Sequence, residues 1–413
     1  MDTVTRRKFL QMSGATSAAA LLSGVTQVTW DELIASSQAA PRITGDKVLV
    51  LITLYGGNDG LTTIAPYEDP TYKSLRQNLA LNASEVFPIG QGLGINAAMT
   101  SFKDLWLANR LAVISGVGYP KPSRSHFTSM DIWQTGSPEE PITSGWIGRW
   151  LDSLGHDPLR ALGIGSVPPP VVVGLKSAAS VLPLTKTTKT SALSSATANA
   201  LAKENIKDSA LRKLAARGLS DLLTSSAALG DALAASPSSA VETANTIDGG
   251  SAGGQGSLDV QLDLVSRLIR SGLSTRVYAT SLGGFDTHAD EKGTQTTLLS
   301  RLATAVGKFT TSLKGTVHDK DVVIMIHSEF GRRVLANASY GTDHGTSGPV
   351  FLIGSSVKGG HHGEHPDLNK LINGDLGVTV DFRSIYAEVV ENVLGVESSR
   401  LLKGSFGKLD LFS

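Results

Sequence analysis

The residues from 48 to 54 in "KVLVLITLYGGNDGL" are apolar save for one threonine and stop at Gly56-Gly57, the pattern of a strand buried on both faces. An amphipathic helical stretch follows at 97–108 ("AAMTSFKDLWLA"), and a second apolar run begins at Leu111 ("LAVISGVG"). Strand, helix, strand predicts a right-handed parallel crossover. Further strands are expected at 170–173, 276–281, 322–326, 350–353 and 378–380, with helices between most of them and a closing helix over 382–395. Such alternation predicts an α/β sandwich of three layers around a mostly parallel sheet.

Two regions depart from that rhythm. Between 186 and 256 the composition shifts to Ala, Ser and Thr, with apolar residues three and four apart and a flexible linker, "TIDGGSAGGQGS". We read it as a helical cap inserted into a single domain spanning 41–413. Residues 1–40 form the other region. In "TRRKFLQMSGATSAAALLSGV", Arg6-Arg7 precede Phe9-Leu10 and a weakly apolar run too short to span a bilayer. This is the pattern of a twin-arginine export signal, with small residues at "ASSQAA" offering cleavage after Ala39. The expected location is therefore periplasmic or secreted, with the twin-arginine translocase as the partner during export. No later stretch is apolar enough for stable insertion in a membrane.

Composition narrows the chemistry. Lys+Arg equals Asp+Glu at 37 each, which gives no electrostatic footprint for nucleic acid or an anionic membrane surface. With no cysteine in the chain, disulfides, thiolate metal sites and a cysteine nucleophile are excluded. A metal would have to sit on His and carboxylate.

Ligands of an open α/β sheet bind beyond the carboxyl ends of its strands, and four polar clusters fall there. They are "GGNDG" with Asp59, "PSRSHF" with Ser123, Arg124, Ser125 and His126, "GGFDTHADE" with Asp286, His288 and Asp290, and "SEFGRRVLANASYGTDHGTSGPVFLIG" with Glu329, Asp343 and His344. Alone, each has an ordinary explanation: an Asp after a strand caps a turn or helix, and a lone His is usually just hydrogen-bonded. Convergence of several acids and histidines on one rim predicts a shell for a divalent ion, zinc first, with Mn, Mg or Ca as alternatives. "GGHHGEH", with His361, His362 and His365, is read evenly as a metal loop or an idle one. His327 alternates into the sheet as a structural residue. Arg332 and Arg333 are expected to be paired or solvated, not substrate clamps.

Taken together, the signal, "YGGNDGLTT", "SRSHF", "GGFDTHAD", "SEFGRR" and "DHGTSGPVFLIG" resemble the exported bacterial family known as domain of unknown function 1501, placed with the alkaline phosphatase and sulfatase superfamily. The resemblance covers nearly the whole chain apart from the helical insert. It implies an alkaline phosphatase-like fold and one or two metal ions. It matches Asp59 to the metal-binding Asp of the first strand, and Ser125 or Ser123 to the nucleophile at a helix start. Asp286 and His288 match a ligand pair, although their spacing is shorter than usual. The usual Asp-His pair becomes Glu329-Phe330, and His344 stands where a later ligand His falls. Alternatively Asp343-His344 is that pair, and His361 or His362 supplies the late histidine. Either way, one of the two usual metals is in doubt.

The activity implied is hydrolysis of a phosphate or sulfate ester of a small molecule or glycan. Ser125 would be the nucleophile, since it directly precedes the helical pattern beginning at His126, and Arg124 would hold the transferred group. Its rival is a non-catalytic exported protein of the same fold that uses a metal to bind a glycan or protein partner.

Overall fold

The protein is described by a computed structural model over residues 45–155, 157–165, 167–182, 184, 203, 220 and 257–413. The expected export signal at 1–40 lies outside the described residues, as does nearly all of the expected insert at 186–256.

Among the described residues the strands are β1 (Val48–Leu54), β2 (Ile64–Ala65), β3 (Val86–Gly90), β4 (Leu93–Asn96), β5 (Leu111–Gly118), β6 (Ala161–Ile164), β7 (Ser180–Leu182), β8 (Val277–Leu282), β9 (Val322–Ser328), β10 (Gly348–Ile353), β11 (Gly360–His362) and β12 (Val380–Asp381). Nine of them form one sheet, in the order β11-β5-β10-β9-β1-β8-β6-β7, with β12 also on β5. All its pairings are parallel except those of β10, which runs against both β5 and β9. A small antiparallel sheet, β2-β4-β3, stands apart.

Period-two alternation sends successive side chains to opposite faces, and the central strands are apolar on both. Val48, Val50, Ile52 and Leu54 enter one core, while Leu49 and Leu51 enter the other. Helices α1 (Gly60–Thr63), α2 (Pro70–Arg76), α3 (Thr100–Leu107), α4 (His126–Thr135), α5 (Trp146–Ser153), α6 (Leu258–Arg270), α7 (Glu291–Leu313) and α8 (Phe382–Val389) follow in chain order. Phe102 of α3, Leu262 of α6 and Leu302 of α7 pack on the first face; Trp133 of α4, Trp150 of α5 and Ile385 of α8 pack on the second. The result is the expected three-layer α/β sandwich.

Two strand expectations change. The segment at 170–173 is a 3-10 turn, Pro170–Val172, with the sheet continuing through β6 and β7 around it. Pro168, Pro169 and Pro170 lack the N–H donors a ladder needs. The run at 350–353 is a strand, but antiparallel, so β10 begins at the edge where its neighbours end. That reversal brings the residues just before β10 to the same rim as those just after β1, β5, β8 and β9.

Candidate metal centre

Three imidazole nitrogens and one carboxylate oxygen meet at this rim. Nε2 of His344 lies 3.1 Å from Nε2 of His126, 3.0 Å from Nε2 of His288 and 3.1 Å from Oδ1 of Asp286. The same Asp286 oxygen is 2.9 Å from Nε2 of His288 and 3.5 Å from Nε2 of His126. Donors roughly 2 Å from a tetrahedral ion stand roughly 3.3 Å apart, so the spacing suits one. His126, Asp286 and His344 are partly buried, whereas His288 is exposed on the solvent side.

Each ring is turned by a partner on its other nitrogen. Nδ1 of His126 faces Oε1 of Glu329 at 2.8 Å, Nδ1 of His344 faces the Arg124 carbonyl at 2.8 Å, and Nδ1 of His288 faces Oδ1 of Asp343 at 3.4 Å. All three partners are acceptors, an arrangement that suits a proton on each Nδ1 and leaves each neutral ring's Nε2 to face a metal. Phe330, buried, packs its ring 4.9 Å from that of His126 and 5.0 Å from that of His344 and so holds both in place. Burial pulls both imidazoles down. In His126 the bond and charge of Glu329 outweigh it and raise the ring, while in His344 burial prevails. Asp286 is also penalised by burial, yet the Arg332 hydrogen bond and charge, with His344, bring it down to about 2.

The sequence-predicted residues therefore divide. Asp286, His288 and His344 converge as ligands would. Glu329 and Asp343 come to the same place one step back, against the rings of His126 and His288; Glu329 is also tied by Gly56 N–H at 2.9 Å and the Ser328 hydroxyl at 2.9 Å. Asp59 departs from expectation. Its Oδ1 accepts from Leu61 and Thr62 N–H, capping α1, and its Oδ2 pairs with Arg76 at 2.6 Å inside the protein. Arg76 also reaches Glu291 at 3.4 Å. A helix cap was the ordinary explanation of this aspartate, and Arg76, with no motif to mark it, supplies the charge that holds it there.

His126 is the converging residue that sequence patterns did not single out. It sits in "SRSHF" at the first turn of α4, where the pattern pointed to the serine beside it. Ser125 is at the N-cap position, exposed, and its side chain makes no capping bond. Arg124 is held by Asp375 through Nε at 2.9 Å and through Nη2; Arg333 shares the same carboxylate through Nε at 3.3 Å. Arg332 is fully buried and paired with Asp286 at 2.6 Å. His361 bonds the Ser115 hydroxyl, and His362 and His365 bond backbone carbonyls; none of the three is among the converging donors. His327 is structural as expected, stacked on Trp133 at 4.9 Å and lowered to about 4 by burial.

A family described as protein of unknown function (DUF1501) matches residues 106–408, and the chain belongs to it. Curated proteins give no match. Among solved structures, the chain is similar to the lipoteichoic acid synthase LtaP from Listeria monocytogenes, at 9% identity and TM-score 0.39 over 93% of this chain and 82% of that one. It is similar to a protein in the alkaline phosphatase superfamily from Vibrio parahaemolyticus, at 8% identity and TM-score 0.36 over 86% and 71%. An alkaline phosphatase from the Antarctic bacterium TAB5 gives 10% identity and TM-score 0.33 over 75% and 92%. With such scores, the α/β sandwich rests on this chain's own sheet order. No helix among the described residues is long and apolar enough to cross a membrane.

Proposed function

We propose that the protein is an exported metal-dependent hydrolase of phosphate or sulfate esters. The observation that carries the reading is the grouping of ring nitrogens on one carboxylate oxygen: three Nε2 atoms lie 2.9–3.5 Å from Oδ1 of Asp286, and that of His344 lies within 3.1 Å of the other two, each ring fixed by an acceptor behind it. Ring nitrogens and a carboxylate oxygen at these spacings are what one bound cation would bring together. The imidazole-rich set suits zinc better than Mg or Ca. When bound, such an ion supplies Lewis acidity and lowers the pKa of a hydroxyl it touches.

The chain's own residues would do the rest. Ser125 presents an uncapped, exposed hydroxyl at the N-terminus of α4, beside His126, and the free N–H groups of that first turn favour an anion. Arg124, 43% exposed and held by Asp375, keeps Nη1 for an ester oxygen. Three arginines (124, 332 and 333) stand against four carboxyl groups (Asp286, Glu329, Asp343 and Asp375) in this network, a balance of one negative charge that a dication turns to one positive. An anionic substrate should therefore bind only to the metal-loaded protein. Export by the twin-arginine translocase, and an ester of a small molecule or glycan as substrate, belong to the same reading.

The experiment is metal analysis of natively exported protein with an assay of Ser125→Ala on aryl phosphate and aryl sulfate. Metal-loaded wild type should turn over one of them and the variant should not; an equally active variant removes Ser125 from the role. One observation favours a second reading, a metal-dependent binding protein without turnover: the Ser125 hydroxyl has no general base bonded to it. A metal-loaded wild type inert to both esters would select that reading.

A further inference from the structure

Arg332 lies at the start of the loop after β9, and its side chain is fully enclosed. Nε donates to the Gly57 carbonyl at 2.8 Å and Nη1 to the Thr342 carbonyl at 2.8 Å. Nη2 donates to the Phe285 carbonyl at 2.9 Å, to the Gly56 carbonyl, and to Oδ1 of Asp286 at 2.6 Å. Four backbone carbonyls and a carboxylate around one positive group make an oxygen-lined cage. The chain is shaped to build it. Gly56 and Gly57 have φ of 115° and 77°, open to glycine and strained for other residues. Side chains there would also collide, since a Cβ on Gly56 would lie 2.4 Å from the Asp286 nitrogen and one on Gly57 2.3 Å from the Phe330 ring.

The carboxylate oxygen that Arg332 holds is the one at the heart of the histidine cluster. We infer that Arg332 is a built-in second cation of the metal centre: its guanidinium and a single metal ion share Oδ1 of Asp286, and the cage it fills leaves no place for a second ion. This rests on the metal reading above. Three consequences follow physically. The guanidinium fixes the carboxylate in position without touching substrate, so Arg332 is a positioning residue. It also drains charge from the shared oxygen and repels the incoming dication, lowering metal affinity. Lastly, a guanidinium cannot be lost to chelators, so one of the three positive charges on the shared oxygen survives removal of a divalent metal.

The test is native mass spectrometry of metal-free, full-length protein titrated with Zn²⁺, and separately with Mn²⁺ and Ca²⁺. Wild type should take one ion of Zn²⁺, lost in His344→Ala, and no second specific ion. Two ions, both lost in Asp286→Asn, would overturn the inference while sustaining the metal reading, whereas no ion at all would overturn both. The role of the charge is then read from Zn²⁺ affinity. Arg332→Gln should bind the ion about tenfold tighter, since a competing cation is gone, and Arg332→Lys, which keeps the charge, should stay near wild type. A merely structural arginine predicts weaker binding in both variants. If Arg332→Gln fails to fold, the wild-type stoichiometry still decides the matter.

Discussion

Two clusters of acid and arginine lie close together at the end of the sheet, and they differ in one respect. In the first, Asp59, Arg76 and Glu291 are all buried, with side-chain exposures of 1%, 0% and 0%. Its carboxyl groups find their donors inside the cluster: Arg76 serves Asp59, Thr62, Glu291 and two carbonyls through Nη1 and Nη2, and Thr342 donates to Glu291. In the second, Asp286 has one arginine but faces three imidazoles, and the cluster is a fifth to a half exposed. The closed cluster pairs its charges internally, whereas the open one gathers ring nitrogens and a carboxylate at a partly exposed rim. Residue types alone do not separate structure from site; the tally of donors against acceptors does.

The comparison is most easily broken at Arg76. Arg76→Leu removes the cation paired with two buried carboxyl groups and should cost about 3–5 kcal/mol, read by urea denaturation. A loss below about 1 kcal/mol would mean that the closed cluster does not depend on its arginine. A smaller effect is expected behind the open cluster. Glu329→Gln weakens the acceptor that fixes the His126 ring, so metal affinity should fall about 10–100-fold with little change in the unloaded protein's stability. Unchanged affinity would remove Glu329 from the centre.

Protonation sharpens the contrast next. Burial, with the Asp59 charge, pushes the Glu291 carboxyl up to about 9, while Asp59, despite its own burial, is held low by the Arg76 charge. Folded protein therefore keeps a proton on Glu291 that the unfolded chain releases above its ordinary carboxyl range. Stability from this group is complete at acid pH and is lost as pH climbs towards about 9. Glu291→Gln, neutral throughout, should lack that loss. Its melting temperature relative to wild type should rise between pH 5 and pH 9, and a flat difference would show that Glu291 is ionised in the fold. The smallest effect is expected at Ser125. Without a capping bond to lose, Ser125→Ala should change stability by less than about 0.5 kcal/mol, where a true cap would cost about 1 kcal/mol; thermal denaturation distinguishes the two.

Much of this was legible in the chain. Apolar runs with a two-face pattern marked β1, β5, β8 and β9, and the rule that ligands gather at the carboxyl ends of parallel strands brought Asp286, His288, Glu329 and His344 to one rim before any coordinates. The family resemblance agreed with the match over 106–408. Prolines misled the reading at 170–173 because apolar composition was weighed and missing N–H donors were not.

What the sequence determined by itself is local: periodicity selects strand or helix, glycines select the sharp turns at strand ends, and both depend on neighbours a few residues apart. The tertiary structure alone decided which polar group faces which. Asp59 became a cap because Arg76, seventeen positions away, reaches it. His126 joined the cluster because Glu329 and His344, more than two hundred positions on, face its two ring nitrogens. The antiparallel course of β10 carries His344 to the rim. Charge pairing acts through space at a few ångströms, and sequence distance says nothing about it until the sheet order is set.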